Sequence, residues 1–332
     1  MAETEIHHTS AKRIHQKATV FDGHCDTILE IMNHKRSLRD RAPNGHLDIF
    51  RLKEGGVDIQ VFAVFIEDTY KPHNSLKRTL QLIDCFFSEI EENRDNISLV
   101  VNYNQIKEVN QGGKIAAILS IEGGEALEGD LAALRVLYKL GVRWLTLTWN
   151  QRNQIADGLY ESRTGGGLTE FGLKVIDEMD RLGMVIDISH LSEAGFWDVI
   201  KHSKKPIVAS HSNCYAICPH SRNLKDEQIK AIADNNGVIG VTYVPCFLTQ
   251  ENRKATIEDV IKHIDYLVEK AGVDYVGLGS DFDGTDSLPL GLEGVEKIPN
   301  ITIELVKRGR KEEDIKKILG GNFIRVFKEV VS

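Results

Sequence analysis

Short, almost uninterrupted apolar runs alternate along the chain with longer stretches in which apolar residues recur every three or four positions. The runs fall at 19–22, 57–65, 115–120, 144–148, 184–188, 206–209, 238–244 and 275–279. Because they are β-branched and mostly not alternating, they predict parallel strands covered on both faces; a strand open to water on one side alternates polar with apolar. Helical spacing predicts helices over 75–92, 131–140, 168–182, 192–201, 225–235 and 256–271, with a helical stretch over 301–331. Thr169, Ser192 and Thr256 stand where a side-chain oxygen would cap a first turn. Gly141, Gly183, Gly237 and Gly272 follow the last periodic residue, where a left-handed turn is needed. Eight strands alternating with helices predict an α/β fold of the (β/α)8 TIM barrel type, with an open doubly wound sheet as the alternative. No linker-like tract or repeat interrupts the chain after residue 18. Residues 1–332 are therefore expected to form a single barrel domain, with 1–18 a short N-terminal extension.

Composition narrows the function. Of 332 residues 42% are hydrophobic and 27% charged, which suits a folded globular chain, and the formal net charge of −8 opposes nonspecific binding to nucleic acid or anionic membrane. The N-terminal segment has no apolar core of a signal peptide and no later run reaches a membrane span, so a cytoplasmic location is expected. Five scattered cysteines argue against a disulfide framework, and Cys214 with Cys218 lacks the second pair of a zinc knuckle.

A barrel places its active site at the carboxyl ends of its strands. There the sequence sets His24 and Asp26 after the first run, Glu122 after the third, His190 and His211 after the fifth and sixth, and Asp281 after the eighth. Residues two apart on extended backbone point the same way, so His24 and Asp26 can grip one cation, although alone such a pair is weak evidence. A single histidine after a strand is usually a hydrogen-bonded turn residue; two in successive units supply the neutral nitrogens zinc favours. Glu122 precedes two glycines and by itself reads as a solvated loop carboxylate. In this company its two oxygens suit bridging two cations about 3.5–4 Å apart that activate water and polarise a carbonyl. Other chemistries fit poorly. Asp281-Phe-Asp283-Gly lacks the glycine and glutamate spacing of a calcium loop, Gly277-x-Gly279 lacks the third glycine of a dinucleotide fingerprint, and no Gly-x-Ser-x-Gly elbow occurs.

Six motifs follow one another from Val20 onward: Asp-Gly-His-x-Asp at 22–26, Ile-Glu-Gly-Gly at 121–124, Leu-Gly-Met-Val-Ile-Asp-Ile-Ser-His at 182–190, Ser-His-Ser at 210–212, Ser-Arg-Asn at 221–223 and Gly-Ser-Asp-Phe-Asp-Gly at 279–284. In that order they resemble the membrane dipeptidase (renal dipeptidase) family of metallopeptidases, within the amidohydrolase-like barrels. The resemblance implies a zinc-dependent dipeptidase with two Zn2+ per chain, His24 and Asp26 on one, Glu122 bridging, His190 and His211 on the other. It implies Asp281 as the catalytic carboxylate, Arg222 as the receiver of the substrate's terminal carboxylate, and tolerance of a D-residue at the C-terminal position. Trp149, where the family often carries a histidine, and Tyr243, at the end of the seventh run, are further substrate-binding candidates. The expected partner is a small dipeptide, without nucleic acid or membrane attachment, and a homodimer is left open. Two alternatives stay open: a related amidohydrolase acting on another amide or a lactone, and a metal-binding homologue without turnover, for which Trp149 is the sequence hint.

Overall fold

A computed structural model describes residues 2–43 and 45–331. Nine strands follow in chain order: β1 Phe21–Cys25, β2 Ile59–Phe65, β3 Ile97–Leu99, β4 Ile115–Glu122, β5 Val142–Thr146, β6 Val185–Asp187, β7 Val208–Ala209, β8 Val238–Val241 and β9 Val276–Leu278. All pair in parallel, and eight of them close a ring in the order β1, β2, β4, β5, β6, β7, β8, β9 and back to β1. The fold is a TIM barrel, and the pairing of β1 with both β2 and β9 excludes the open sheet. Strand β3 stands outside the ring. It pairs with Ile115–Ala117 at the start of β4, just ahead of Leu119 where β5 takes over. Ile97 is buried, and with Leu99, Val100 and Val101 it forms a ninth short apolar run beyond the eight the ring uses.

The expected helices form as Ser75–Glu92, Leu131–Lys139, Glu170–Leu182, Glu193–His202, Asp226–Asp234 and Ile257–Ala271. Thr169 and Ser192 cap theirs by accepting the N–H groups of Gly172 and Gly195. At Thr256 the reach is also reversed, the Asp259 carboxylate accepting the Thr256 N–H at 3.0 Å. Gly141, Gly183 and Gly272 have positive φ as expected, but at the fourth site Asn236 takes the left-handed position with φ 59. Gly237 is there for space: a Cβ would lie 2.3 Å from the Ile207 carbonyl oxygen. The segment treated as an extension is a helix, Ala2–His15, that docks against the helix Pro299–Lys307. Ala11 and Ile14 are buried, and the His15 ring reaches Thr302 Oγ1 at 2.7 Å and the Gly55 carbonyl at 2.9 Å. So few apolar positions give no helical period; tertiary contacts decide this helix. Among the described residues no helix is long and apolar enough to cross a membrane.

Two apolar layers organise the barrel. One lies between strands and helices; the other fills the barrel interior and includes Phe21, Ile59, Ala116, Ile118, Trp144 and Val185. The helix Asn322–Val330 closes the bottom of that interior with Phe323, whose ring stacks on Phe21 at 5.1 Å and tilts against Trp144 at 5.8 Å. Glycine admits the ring: a Cβ on Gly277 would stand 2.5 Å from it.

His263 ties the top of the barrel to its outer helices. Fully buried on the helix Ile257–Ala271, it accepts the Cys214 N–H through Nδ1 at 3.1 Å and donates from Nε2 to the Leu248 carbonyl at 3.0 Å. Burial lowers its pKa to about 4 from the ordinary 6.5, the bond to Leu248 opposing this in part. An unfolded chain therefore takes up this proton near pH 6.5 while the native state resists it. The stabilisation is whole above that pH and is lost as pH falls toward 4, roughly 3 kcal/mol in total. Chemical unfolding of the native protein and of His263→Gln should show the native advantage shrinking by about that amount between pH 7 and pH 4. A pH-independent difference would place the His263 pKa at its unfolded value.

Candidate active site

Different backbone devices bring the six sequence candidates together at the barrel mouth. Alternation along β4 puts Glu122 on the inward face with Ala116, Ile118 and Ser120. On β1 strict alternation would turn His24 outward with Asp22, which lies against Gln60 (2.9 Å) and Ser280 (2.6 and 2.8 Å). From Asp22 to Cys25 the strand advances three residues against two on β2, from Gln60 to Phe62. This bulge turns His24 into the mouth. His190 and Asp281 arrive in the left-handed region, with φ 67 and 66. That conformation costs an L-residue about 1–2 kcal/mol and is held by its surroundings.

Glu122 is the centre of the cluster. Its Oε1 lies 3.0 Å from His190 Nε2 and 3.4 Å from His211 Nε2, and its Oε2 lies 3.6 Å from His24 Nε2. Asp26 and Asp281 present oxygens 3.5 and 3.9 Å from the same His24 nitrogen. Ligand atoms of His24, Glu122 and His211, and again of His24, Asp26 and Asp281, lie within 4.8 Å of one another, all of them buried.

Hydrogen bonds outside the cluster determine which imidazole nitrogens carry protons. Asn150 Oδ1 accepts from His190 Nδ1 at 2.8 Å. Ser210 gives its hydroxyl proton to Asp187 Oδ2 at 2.5 Å and so accepts from His211 Nδ1 at 2.7 Å. Both Nε2 atoms are then bare lone pairs, 2.9 Å apart and facing a carboxylate oxygen. His24 Nε2 and Asp26 Oδ1 are likewise buried without a hydrogen-bond partner. Lone pairs so arranged repel unless positive charge lies among them, and this nitrogen and oxygen donor set fits a divalent metal.

Without a cation, protons must carry that charge. Burial alone would depress His24, but Glu122 and Asp26 outweigh it and hold its pKa well above the ordinary range. Burial and the neighbouring Glu122 push Asp26 well up. Glu122 stays well below the usual carboxylate range despite burial, chiefly because the charged His24 faces it. Burial lowers His190 to about 4 and His211 well below its ordinary value. Cation binding must therefore expel protons gathered on His24 and Asp26.

Two supporting residues had no role in the sequence reading. Asp187, fully buried, accepts the N–H groups of Ser189 and Ser210 at 3.0 Å each and the hydroxyls of Thr146 (2.8 Å) and Ser210 (2.5 Å). Through Ser210 it fixes the His211 ring, as Asn150 fixes His190. The legible signal was parity: Asp187 shares the inward face of β6 with Val185.

A cavity of about 700 Å³ opens over the cluster and is also lined by Arg222 and Trp149. The buried Arg222 donates to the His211 carbonyl at 3.0 Å and lies over the Phe247 ring. Tyr243 is corrected. It shares the outward parity of Ile239 and Val241, is fully buried against Phe282 at 5.6 Å, and does not line the cavity.

A TIM barrel whose mouth gathers imidazoles and carboxylates into a cation-seeking cluster defines the class of metal-dependent hydrolases. The model of the membrane dipeptidase family (peptidase family M19) matches residues 8–332, and the chain belongs to that family. It is a dipeptidase of the metallo type. Dipeptidase tcpJ of Claviceps purpurea is 34% identical over 295 residues, covering 86% of this chain and 69% of its own. The crystal structure of dipeptidase AC, a metallopeptidase of family M19, superposes with a TM-score of 0.89 at 29% identity, covering 95% of this chain and 99% of that one. A metallopeptidase from Rhodobacter sphaeroides, solved with a phosphinate mimic of the dipeptide L-Ala-D-Ala, gives 0.88 at 29% identity over 94% and 99%.

The Asp187–Ser210–His211 relay yields a prediction. Ser210→Ala should weaken metal binding roughly 10–100-fold, the usual loss when a ligand's hydrogen-bond partner is removed. Competition with a chromophoric chelator would measure it; unchanged affinity would reduce the relay to packing.

Proposed function

We propose that the protein is a two-zinc dipeptidase that hydrolyses free dipeptides and accepts a D-residue at the C-terminal position. The observation that carries this reading is the split of the Glu122 carboxylate, one oxygen toward His24 and the other toward His190 and His211. His24 and Asp26 would hold one cation, His190 and His211 the second, with Glu122 shared. Bound there, the metals supply Lewis acidity toward the scissile carbonyl and the attacking water.

The chain's own groups do the rest. Asp281, beside Asp26 and with its pKa raised chiefly by burial, is placed to take the proton of the attacking water and return it to the leaving amine. Arg222, buried at one end of the cavity with Nε unpartnered, receives the substrate's carboxylate in a charge-assisted contact. A free carboxylate is thus required at a fixed distance from the cleaved bond, which sets the cut one residue from the C-terminus. The Rhodobacter sphaeroides relative, with its L-Ala-D-Ala mimic, supports acceptance of a D-residue next to that anchor.

Elemental analysis of reconstituted protein should give about two zinc equivalents per chain. Glu122→Gln should weaken both sites together; loss at one site only would mean that Glu122 does not bridge. Asp281→Asn should keep its zinc and lose most turnover on a panel of L,L and L,D dipeptides, since an amide cannot exchange the proton. Arg222→Lys should raise KM for free dipeptides far more than for their C-terminal amides, because lysine keeps the charge but not the planar fork. Equal changes on both substrates would remove Arg222 from carboxylate recognition.

A further inference from the structure

One wall of the cavity is aromatic. Phe65 ends β2 and Trp149 follows β5; their rings meet edge to face with centroids 5.1 Å apart, and Tyr160 adds a third ring 6.3 Å from Trp149. All three line the cavity. Trp149 lies 6.0 Å from the His190 ring, so the wall begins at the cluster, and it ends at Tyr160, 65% exposed on the rim.

The wall is braced from behind. Lys71 Nζ sits 5.0 Å from the Trp149 ring centre and 5.2 Å from that of Phe65, held by Glu125 at 2.7 Å and Asp68 at 3.1 Å. Gln151 donates to Asp68 at 2.9 Å and Asn153 to Glu125 at 3.1 Å. The loops after β2, β4 and β5 are thereby laced together, and their charges face a separate depression, not the cavity. What the cavity meets on this side is ring surface.

Barrel order orients a substrate against the Phe65 end of the wall: Arg222 follows β7, β2 lies four strands from β7 around the ring, and β5, which precedes Trp149 and Tyr160, lies two strands away, between them. With its carboxylate on Arg222 and its scissile carbonyl over Glu122, a dipeptide extends its amino-side residue toward Phe65 and Trp149. We infer that Phe65, Trp149 and Tyr160 form the specificity pocket for the N-terminal side chain, and that the preferred substrates carry an aromatic or bulky aliphatic residue there. This rests on the dipeptidase reading with Arg222 at the carboxylate end. Ring faces gain dispersion and burial from an apolar side chain, whereas a charged one loses hydration against them.

The test is kcat/KM of the zinc-loaded enzyme on Phe-Gly, Leu-Gly, Ala-Gly and Asp-Gly, and on Gly-Phe and Gly-Ala. The native enzyme should favour Phe-Gly over Ala-Gly by about tenfold or more, chiefly through KM, and Asp-Gly should be poorest. Trp149→Ala should lower the Phe-Gly to Ala-Gly ratio roughly tenfold while moving the Gly-Phe to Gly-Ala ratio less than about twofold. Tyr160→Ala, on an exposed rim residue, should shift the first ratio in the same direction by about threefold and keeps the test open if Trp149→Ala fails to fold. A larger change in the Gly-Phe ratio, or native hydrolysis of Asp-Gly equal to that of Phe-Gly, would overturn the pocket while leaving the dipeptidase reading intact. Failure of the zinc-loaded enzyme to cleave any of the six would overturn that reading and the pocket with it.

Discussion

A buried carboxylate surrounded by three imidazoles is the constraint on which the rest of the site depends. Glu122 is 3% exposed, and a charge so far from water must be matched within the protein. His190 and His211 do not supply the matching charge, because burial favours their neutral forms, each with its one proton on the nitrogen facing Asn150 or Ser210. That charge must come from His24 or from a cation, and the two compete for the same space. The bulge in β1, the left-handed backbone at His190 and Asp281, and the Asp187 carboxylate under Ser210 all aim or hold lone pairs around that space.

This arrangement sorts the barrel interior by height. At the bottom Phe21, Trp144 and Phe323 form a dry floor. Above it Thr146, Asp187 and Ser210 satisfy one another in a polar shelf, and the ligand candidates stand above the shelf. A satisfied network is tolerable in a low-dielectric interior, and it transmits the rigidity of the floor to the rings above. The residues before the two strained positions are anchored, Ser189 on Asp187 and Ser280 on Asp22.

Much of this was legible in the sequence, for reasons that differ by element. The barrel strands announced themselves as continuous apolar runs, and Glu122, Asp26 and the two later histidines stood at run ends where a barrel must gather them. Tyr243 misled because proximity to a strand end does not give parity, and its parity follows Ile239 and Val241 outward. His24 reaches the mouth through the bulge, which only the register between β1 and β2 reveals. The helix Ala2–His15 carries too little apolar periodicity to be seen and exists through contacts with distant residues, whereas β3 opens the apolar run 97–101, a ninth run beyond the eight a barrel needs. Asp187 and Asn150 were in view as letters, but their roles come from what lies opposite them in space.

The floor of the barrel has a consequence for how the chain reaches this state. Phe323 enters between strands that are synthesised long before it, and the ring itself closes only when Asp22 of β1 meets Leu278 of β9. The first strand must therefore wait through most of translation with an unpaired edge, and nearly every stabilising contact of the interior is nonlocal. The polar shelf joins the adjacent strands β5, β6 and β7, whereas the floor is complete only when the last helix brings Phe323 to Phe21 and Trp144. During that wait the exposed parallel edges are the segments most prone to wrong partners.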